Sequence, residues 1–453
     1  MKHYFTRIIT IAFIALAFQF TCSAQKTYVP DDNFENELIK LGLDSGSPDD
    51  SVFTANIDTL TSLYVWEKEI SDLTGIEDFV ALKKLHCYDN FLTTLDVSNC
   101  KELENLDCYR NELTSINLSN CSSLVYLRCY DNFLTSLNVD DCTSLEFINC
   151  KKNSLTSIDV SNCTVLEELL CIENSLTSIN TNGLAALKYL HCYENAIISL
   201  DLSTNSALYN LDCHNNALTT LNVNGCADLE WLFCSENVLT SINISGCISL
   251  DWLVCNNNSL TTIDLSDNIA IRSIICNNNL LTSLDVSLDT ALMQLICHNN
   301  ALTSLNLKNG NNADMQGDEN YAGLDARVNP NLLCIQVDDA VASSGYQFWY
   351  KDAMASYSEN CNSSALEDRL SETEIKIFPN PAQNKFSVQS SKFRVGDATI
   401  ELFDLNGIKH LEKQISLDSI NLEVDVSQII NGIYFCKIRF DNKYVTRKII
   451  VWR

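Results

Sequence analysis

Glycine and proline are scarce in this chain of 453 residues, at 13 and 5, and 30 Lys+Arg face 58 Asp+Glu, for a formal net charge of −28. So little glycine and proline excludes collagen-like and proline-rich low-complexity chains and leaves little material for a glycine-rich phosphate loop. The deficit of basic side chains argues against a nucleic-acid partner, because phosphate neutralisation needs clustered Lys and Arg. Long hydrophobic runs are missing too. The one apolar stretch, Ile8–Phe20, is too short to cross a bilayer, so no transmembrane helix is expected. No G-x-S-x-G or H-E-x-x-H motif occurs, which leaves an enzyme without a sequence basis and implies no cofactor. What is present is 46% hydrophobic residues, enough for a packed core in more than one domain, and 21 cysteines. A disulfide framework on that scale belongs to short secreted domains, so the cysteines need another explanation.

Lys2 and Arg7 precede the apolar run, and the small residues Cys22-Ser23-Ala24 follow it. That order is the signature of a secretory signal peptide, residues 1–24, cleaved after Ala24. An acylated Cys22 is the alternative, against which stands the poor lipidation context Gln19-Phe20-Thr21.

From Leu82 an aliphatic residue returns every 21 positions, at Leu103, Leu124, Leu145, Leu166, Leu187, Leu208, Leu229, Leu250, Ile271 and Leu292. A unit reads approximately L-x-x-L-x-C-x-x-N-x-L-T-S-L-D-V-S-x-C-x-x, and a 22-residue variant from Leu60 precedes the series, for about 12 units over residues 58–307. The pattern resembles the leucine-rich repeat family, with Cys where the third Leu usually stands. Alternating apolar residues at the fourth and sixth positions mark a short strand with one buried face, and no helical period occupies the rest of the unit. The expected fold is mostly β: a solenoid with a parallel sheet on its concave face at about 4.8 Å per coil, a short N-terminal helical cap (25–57), a C-terminal cap (308–361), a linker (362–374) and a small β-sandwich (375–453).

Asn90, Asn111, Asn132, Asn153, Asn174, Asn195, Asn216, Asn237, Asn258, Asn279 and Asn300 occupy the ninth position, where an amide ladder can satisfy buried backbone groups as the chain leaves the strand. The Asp/Asn column at the fifteenth position reads as solvated turn residues rather than calcium ligands, since half of it is neutral and acidic spacing is not fixed. Eleven cysteines, Cys87 to Cys297, fill the sixth position, and Cys100, Cys121, Cys142, Cys163, Cys226 and Cys247 the nineteenth. Thiols in line at the coil spacing sit too far apart for relaxed bridges, do not converge on a metal and include none marked out by a paired base; they read as core. No metal site is expected. Cys334 and Cys361 differ in flanking the final segment, and a bridge closing that loop contributes roughly 3 to 4 kcal/mol by loop entropy. At the other end, VPDDNFENELIKLG predicts a helix beginning near Asp31 or Asp32, with Phe34, Leu38, Ile39 and Leu41 facing the first coil.

Beyond Glu374, short alternating strands are punctuated by Pro379-Asn380-Pro381, Asn406-Gly407 and Asn431-Gly432. The runs Phe378–Pro381, Ile400–Gly407, Asn431–Tyr434 and Lys448–Val451 resemble the C-terminal sorting domain of the type IX secretion system of Bacteroidetes. The resemblance implies engagement of that machinery through residues 375–453 and a secreted or outer-membrane-attached product.

Three columns of each strand project from the concave face and gather aromatics and His. Tyr126, Tyr189, Trp231 and Trp252 read as anchors for a protein or polysaccharide ligand, with Tyr88, Tyr109, Tyr130, His191 and Tyr193 around them, because exposed aromatic patches usually mark interaction sites. The function expected is a non-enzymatic surface binding or adaptor protein; a structural or adhesive surface component without a discrete ligand is the alternative, in which β-formers simply fill a sheet. Division of the charge supports export of a self-repelling surface: residues 25–365 hold 15 basic and 46 acidic side chains, residues 366–453 hold 13 and 12.

Overall fold

The computed structural model describes residues 25–361, 375–390, 397–404, 408–416, 421–440 and 443–452; the expected signal peptide, linker and Asn406-Gly407 turn lie outside the described residues. One compact unit comprises the repeats up to Leu333 together with Gly345–Ala355, and a second comprises Cys334–Ser344 with the chain from Ser356 onward.

In the first unit, fourteen short strands, one per turn from Ser62–Tyr64 to Trp349–Lys351, form a single parallel sheet. The 21-residue period is its register: Leu85 pairs with Leu106, Leu106 with Leu127 and Leu232 with Leu253. Leu at the fourth position and Cys at the sixth point inward and are fully buried. On the outer wall the chain stays extended, in short parallel pairs such as Thr94–Asp96 with Ser115–Asn117 and Ser283–Asp285 with Ser304–Asn306. The fifteenth-position oxygens close the adjoining turns, accepting from the N–H two residues on, as Asp96 does from Ser98 (2.9 Å) and Asp264 from Ser266 (3.0 Å). The sheet also runs past residue 307, through Leu324–Ala326 to Trp349–Lys351, after a step that lengthens between Leu295 and Leu324.

The scarcity of glycine is met by an unexpected device. The eighth residue of each unit is left-handed without being glycine, with φ of 51° at Arg110, 59° at Asp131 and 55° at Asn257. Asp, Asn and charged residues carry this conformation once per turn, at a local cost that the ladder beside it offsets. In that ladder Asn111 Nδ2 donates to the carbonyls of Cys87 (3.0 Å) and Cys108 (3.0 Å), while Oδ1 accepts from Leu92 N–H (3.0 Å). The same three bonds recur from coil to coil, and Asn329 adds a rung beyond Asn300 by donating to Cys297 (3.1 Å) and Ala326 (3.0 Å).

All seventeen ladder cysteines are buried and unbridged. The second column is more than filler: Cys100 Sγ donates to Ile76 O (3.4 Å), Cys121 to Val97 O (3.4 Å) and Cys247 to Val223 O (3.3 Å), each reaching into the preceding coil. Burial pushes Cys150, Cys234 and Cys276 up to about 12, so no reactive thiolate forms at neutral pH. Titration with a thiol reagent is expected to leave these cysteines unmodified in the native protein and to find all of them after denaturation without reductant; modification of most of them in the native state would contradict burial.

Where this column lacks Cys, Asn205 and Asn268 donate in the same way, to Thr181 O (3.1 Å) and Ile244 O (3.2 Å). The coil after Asn268 instead holds Asp289, 1% exposed and with no hydrogen-bond partner on either carboxylate oxygen. Burial, aided by the nearby Asp285, raises its pKa to about 7. A carboxyl whose folded pKa lies above its unfolded value stabilises fully below pH 4, and that contribution is lost as pH rises through 7. Asp289→Asn is therefore expected to flatten the pH dependence of unfolding between pH 4 and 7 and to stabilise by about 2 kcal/mol above it. Parallel pH profiles of wild type and variant in denaturant melts would contradict this.

At the N-terminal end, strands Lys26–Tyr28 and Ser51–Phe53 pair antiparallel around a helix, Asp32–Lys40. Asp31 caps it, accepting from Asn33 N–H (2.9 Å) and Phe34 N–H (3.0 Å), and its second oxygen accepts from Ser71 N–H (2.8 Å) and Asp72 N–H (3.1 Å). Phe34 and Leu38 are buried as expected, and Phe34 stacks on Phe79. Leu41 does not face the first coil: it is 54% exposed, because the helix ends at Lys40 and Gly42, with φ of 75°, turns the chain away. Glu35 is buried instead, its carboxylate accepting from Asp49 N–H (2.8 Å) and Asp50 N–H (2.9 Å).

In the second unit, strands Cys334–Gln336 and Ser356–Ser358 pair parallel, and Cys334 and Cys361 form a disulfide with a Cα–Cα distance of 5.8 Å. Further on, a three-stranded antiparallel sheet (Ile375–Phe378, Lys385–Ser390, Asn421–Asp425) and a four-stranded one (Asp397–Phe403, Lys409–Ser416, Gly432–Phe440, Lys443–Val451) share a core that includes Phe386, Val388, Leu402, Val424, Tyr434 and Ile449. Two of the motif residues tie it together. Asn380 donates to Lys448 O (2.9 Å) and accepts from Ile450 N–H (2.8 Å), and the Tyr434 hydroxyl donates to Ile430 O (2.9 Å).

Candidate functional site

Because each strand pairs one repeat out of step with the next, residues of equal position stand side by side as columns on the sheet face, and alternation along the strand aims the third, fifth and seventh positions away from the core. The nine aromatic and His residues singled out in the sequence all lie on this face. They gather in three groups rather than one pocket.

The first group is a stack in the seventh column. Tyr88 and Tyr109 rings lie 4.4 Å apart at 8°, Tyr109 and Tyr130 4.4 Å apart at 6°, and Trp66 stacks on Tyr88 at 5.6 Å. The Lys151 ammonium sits 5.0 Å from the Tyr130 ring and ends the series. Burial, then neighbouring Tyr130, holds the Tyr109 phenol well above its usual pKa, so this central ring of the stack stays neutral. With ring faces turned to one another, only edges and hydroxyls remain for a ligand. Trp66 belongs to this group although the sequence reading passed over it; its signal was its seventh place in the 22-residue unit. Tyr193 makes a shorter version, stacked on His214 at 4.4 Å, with His214 Nδ1 2.6 Å from Asp212.

A polar group occupies the middle. The Arg128 guanidinium lies 5.0 Å from the Phe147 ring and 6.0 Å from Tyr126, and donates to Asp107 Oδ1 (3.0 Å). His86 approaches the other Asp107 oxygen at 3.6 Å; burial depresses its pKa against the pull of Asp107. Glu168 stands beside His191, and burial raises its carboxyl pKa against the opposing charges of His191 and Arg128. His191 Nε2 is buried with no hydrogen-bond partner.

The third group is apolar. Trp231 and Trp252 are register neighbours, 37% and 42% exposed, flanked in the fifth column by half-buried Phe233, Val254, Ile275 and Ile296. Tyr209 links Tyr189 to Trp231 through ring contacts at 5.8 and 5.7 Å, its hydroxyl donating to Glu230 (2.7 Å). Such a surface can bury apolar or planar groups, and the ladder thiols lie behind it, on the core side of the sheet.

Among the described residues, acidic groups converge at Asp32/Glu35/Asp50 and Glu35/Asp44/Asp49. Both clusters depend on Glu35, whose oxygens are already taken by backbone N–H groups.

Residues 376–452 match the family described as the secretion system C-terminal sorting domain. Internalin J of Listeria monocytogenes serotype 4b is 39% identical over 71 residues, 16% of this chain and 8% of that protein, so the chain spans under a tenth of the curated relative's length. Among solved structures, the functional domain of InlJ from Listeria monocytogenes, which includes a cysteine ladder, is similar with a TM-score of 0.55 and 23% identity over 95% of this chain and 99% of that one. YopM from Yersinia enterocolitica is similar at a TM-score of 0.45, with 24% identity over 61% of this chain and 65% of that one. The InlJ likeness shows the leucine-rich-repeat solenoid fold. The sorting domain makes this an exported protein, delivered by type IX secretion to a secreted or surface-attached state.

Proposed function

We propose that this exported leucine-rich-repeat protein is a non-enzymatic capture or adaptor protein, holding a protein or glycan on the sheet face of its solenoid. The observation that carries the reading is the exposed pair Trp231 and Trp252 on a rigid parallel sheet, beside an apolar strip. Adjacent, partly exposed tryptophans continuous with an apolar strip form the kind of patch that marks an interaction site. Rigid strands also suit capture, because little ordering entropy opposes association. The alternative, a structural surface component without a discrete ligand, finds its support in the self-stacked Trp66–Tyr88–Tyr109–Tyr130 column, which stiffens the sheet without offering ring faces. A screen of the full-length protein against glycan and surface-protein arrays tests the proposal: a specific hit that soluble ligand competes away supports capture, whereas an empty screen on surface-active protein supports the structural alternative.

A further inference from the structure

The 21-residue step of the cysteine-bearing coils is broken after Leu295. From Leu295 to Leu324 the strand-to-strand step grows by eight residues over the 21 that separate Ile274 from Leu295. The added chain folds back as a hairpin, bridged at Gly317 and Ala322 and closed by Asp318 N–H donating to Tyr321 O (2.9 Å). This hairpin is built in. Trp349 Nε1 donates to the Met315 carbonyl at 2.6 Å, and a Cβ at Gly323 would lie 1.6 Å from that same oxygen, so glycine is required there.

The insertion places Tyr321 beside the starts of three successive strands, where with Trp252 and Met293 it walls a cavity of about 460 Å³. These three side chains are 42%, 41% and 43% exposed, which leaves part of their apolar surface uncovered. The polar lining, in contrast, is satisfied internally. Arg272 grips Asp251 through two nitrogens, Ser273 Oγ donates to Gln294 Oε1 (2.8 Å), and Gln294 Nε2 donates to Ala322 O (3.2 Å). A sugar needs several convergent donors and acceptors for its hydroxyls, whereas most of those in this lining are engaged with one another; an apolar side chain needs only the walls. The segment that carries Tyr321 is acidic. Arg272 is neutralised by Asp251, and Asp318 and Glu319 precede Tyr321 by three and two residues, with no Lys or Arg from 309 to 323.

We propose that the insertion builds a docking pocket for one large apolar side chain, aromatic or long aliphatic, presented by a protein partner with basic residues on either side of it. This rests on the capture reading above and deepens it by naming the partner's class and its place on the face. In a regular solenoid, an insertion over the strand starts is where binding specificity is added without disturbing the repeat.

Saturation-transfer NMR on the full-length protein tests it, with the peptides acetyl-Lys-Phe-Lys-amide and acetyl-Glu-Phe-Glu-amide and the disaccharide maltose as probes. The expected result is contact through the Phe ring of the Lys peptide, at least 10-fold tighter than the Glu peptide, weakened by salt, and lost in Met293→Ala/Tyr321→Ala. Both replaced side chains are exposed, so folding is preserved, and melting temperature checks it; Trp66→Ala, far along the sheet, is expected to bind as wild type. No peptide contact, equal or tighter binding of maltose, or binding unchanged in the double variant would overturn the pocket. An array ligand that needs Trp231 and Trp252 but ignores Met293 and Tyr321 would also overturn it while leaving the capture reading intact.

Discussion

Deletion of residues 375–453 is expected to abolish delivery to the cell surface or medium and to leave the truncated protein in the periplasm. The sorting region has a core of its own, from Ala382 and Phe386 to Val451, so the truncation removes a folded recognition element and spares the Leu and Cys core of the repeats. Its recognisable motifs are also its structural joints. The FPNP run is held to the last strand by both ends of the Asn380 amide, and Tyr434 of the NGIY run closes on Ile430 O. Asn380→Ala, which removes both of its bonds at once, is accordingly expected to lower surface delivery partially and to destabilise this domain by about 1 to 2 kcal/mol. Immunoblots of cell fractions, with protease accessibility on whole cells, measure both effects. Undiminished surface delivery of the truncated chain would contradict the assignment.

The largest stability effect expected from a single substitution is in the amide ladder. Asn216 Nδ2 donates to Cys192 O (3.0 Å) and Cys213 O (3.2 Å), and its Oδ1 accepts from Ile197 N–H (2.9 Å). Asn216→Ala strips three backbone groups of their partners in a half-buried corner. At about 1 to 3 kcal/mol for each such group left unpaired, reduced by relaxation and by water reaching part of the corner, the cost is about 2 to 4 kcal/mol. The neighbouring Cys213→Ala removes one small apolar group and keeps the backbone network, so about 1 kcal/mol is expected. Denaturant melts of the two variants decide the matter. A cysteine change costing as much as the asparagine change would show that packing, rather than amide bonding, holds the coil corners.

The period of the solenoid was legible because each turn buries the same few side chains, so Leu and Cys recur at every coil and the register of the sheet follows from the repeat. The extended outer wall was legible for a similar reason: no helical period competes with L-T-S-L-D-V. What escaped is set by backbone conformation. Left-handed residues such as Arg110 and Glu236 carry no composition signal, because the asparagine one position later supports whichever side chain stands there. Asn329 and the strands beyond residue 307 escaped because the hairpin breaks the period and Ala326 replaces the marker cysteine. On the face itself, residue type placed the aromatics in columns. Whether a ring stacks on its neighbour, as Tyr109 does, or stands open, as Trp252 does, depends on side-chain torsions and on neighbouring columns, which spacing alone does not encode.

The most direct test of the capture proposal is a paired measurement on Trp231→Ala/Trp252→Ala: affinity for a ligand identified by the array screen, and melting temperature, on the same full-length preparation. The account predicts at least a 10-fold loss of affinity with a melting temperature unchanged within about 1 °C, since both indoles lie on the sheet face, outside the Leu and Cys core. A lowered melting temperature with affinity intact would contradict it and make the tryptophans part of the scaffold.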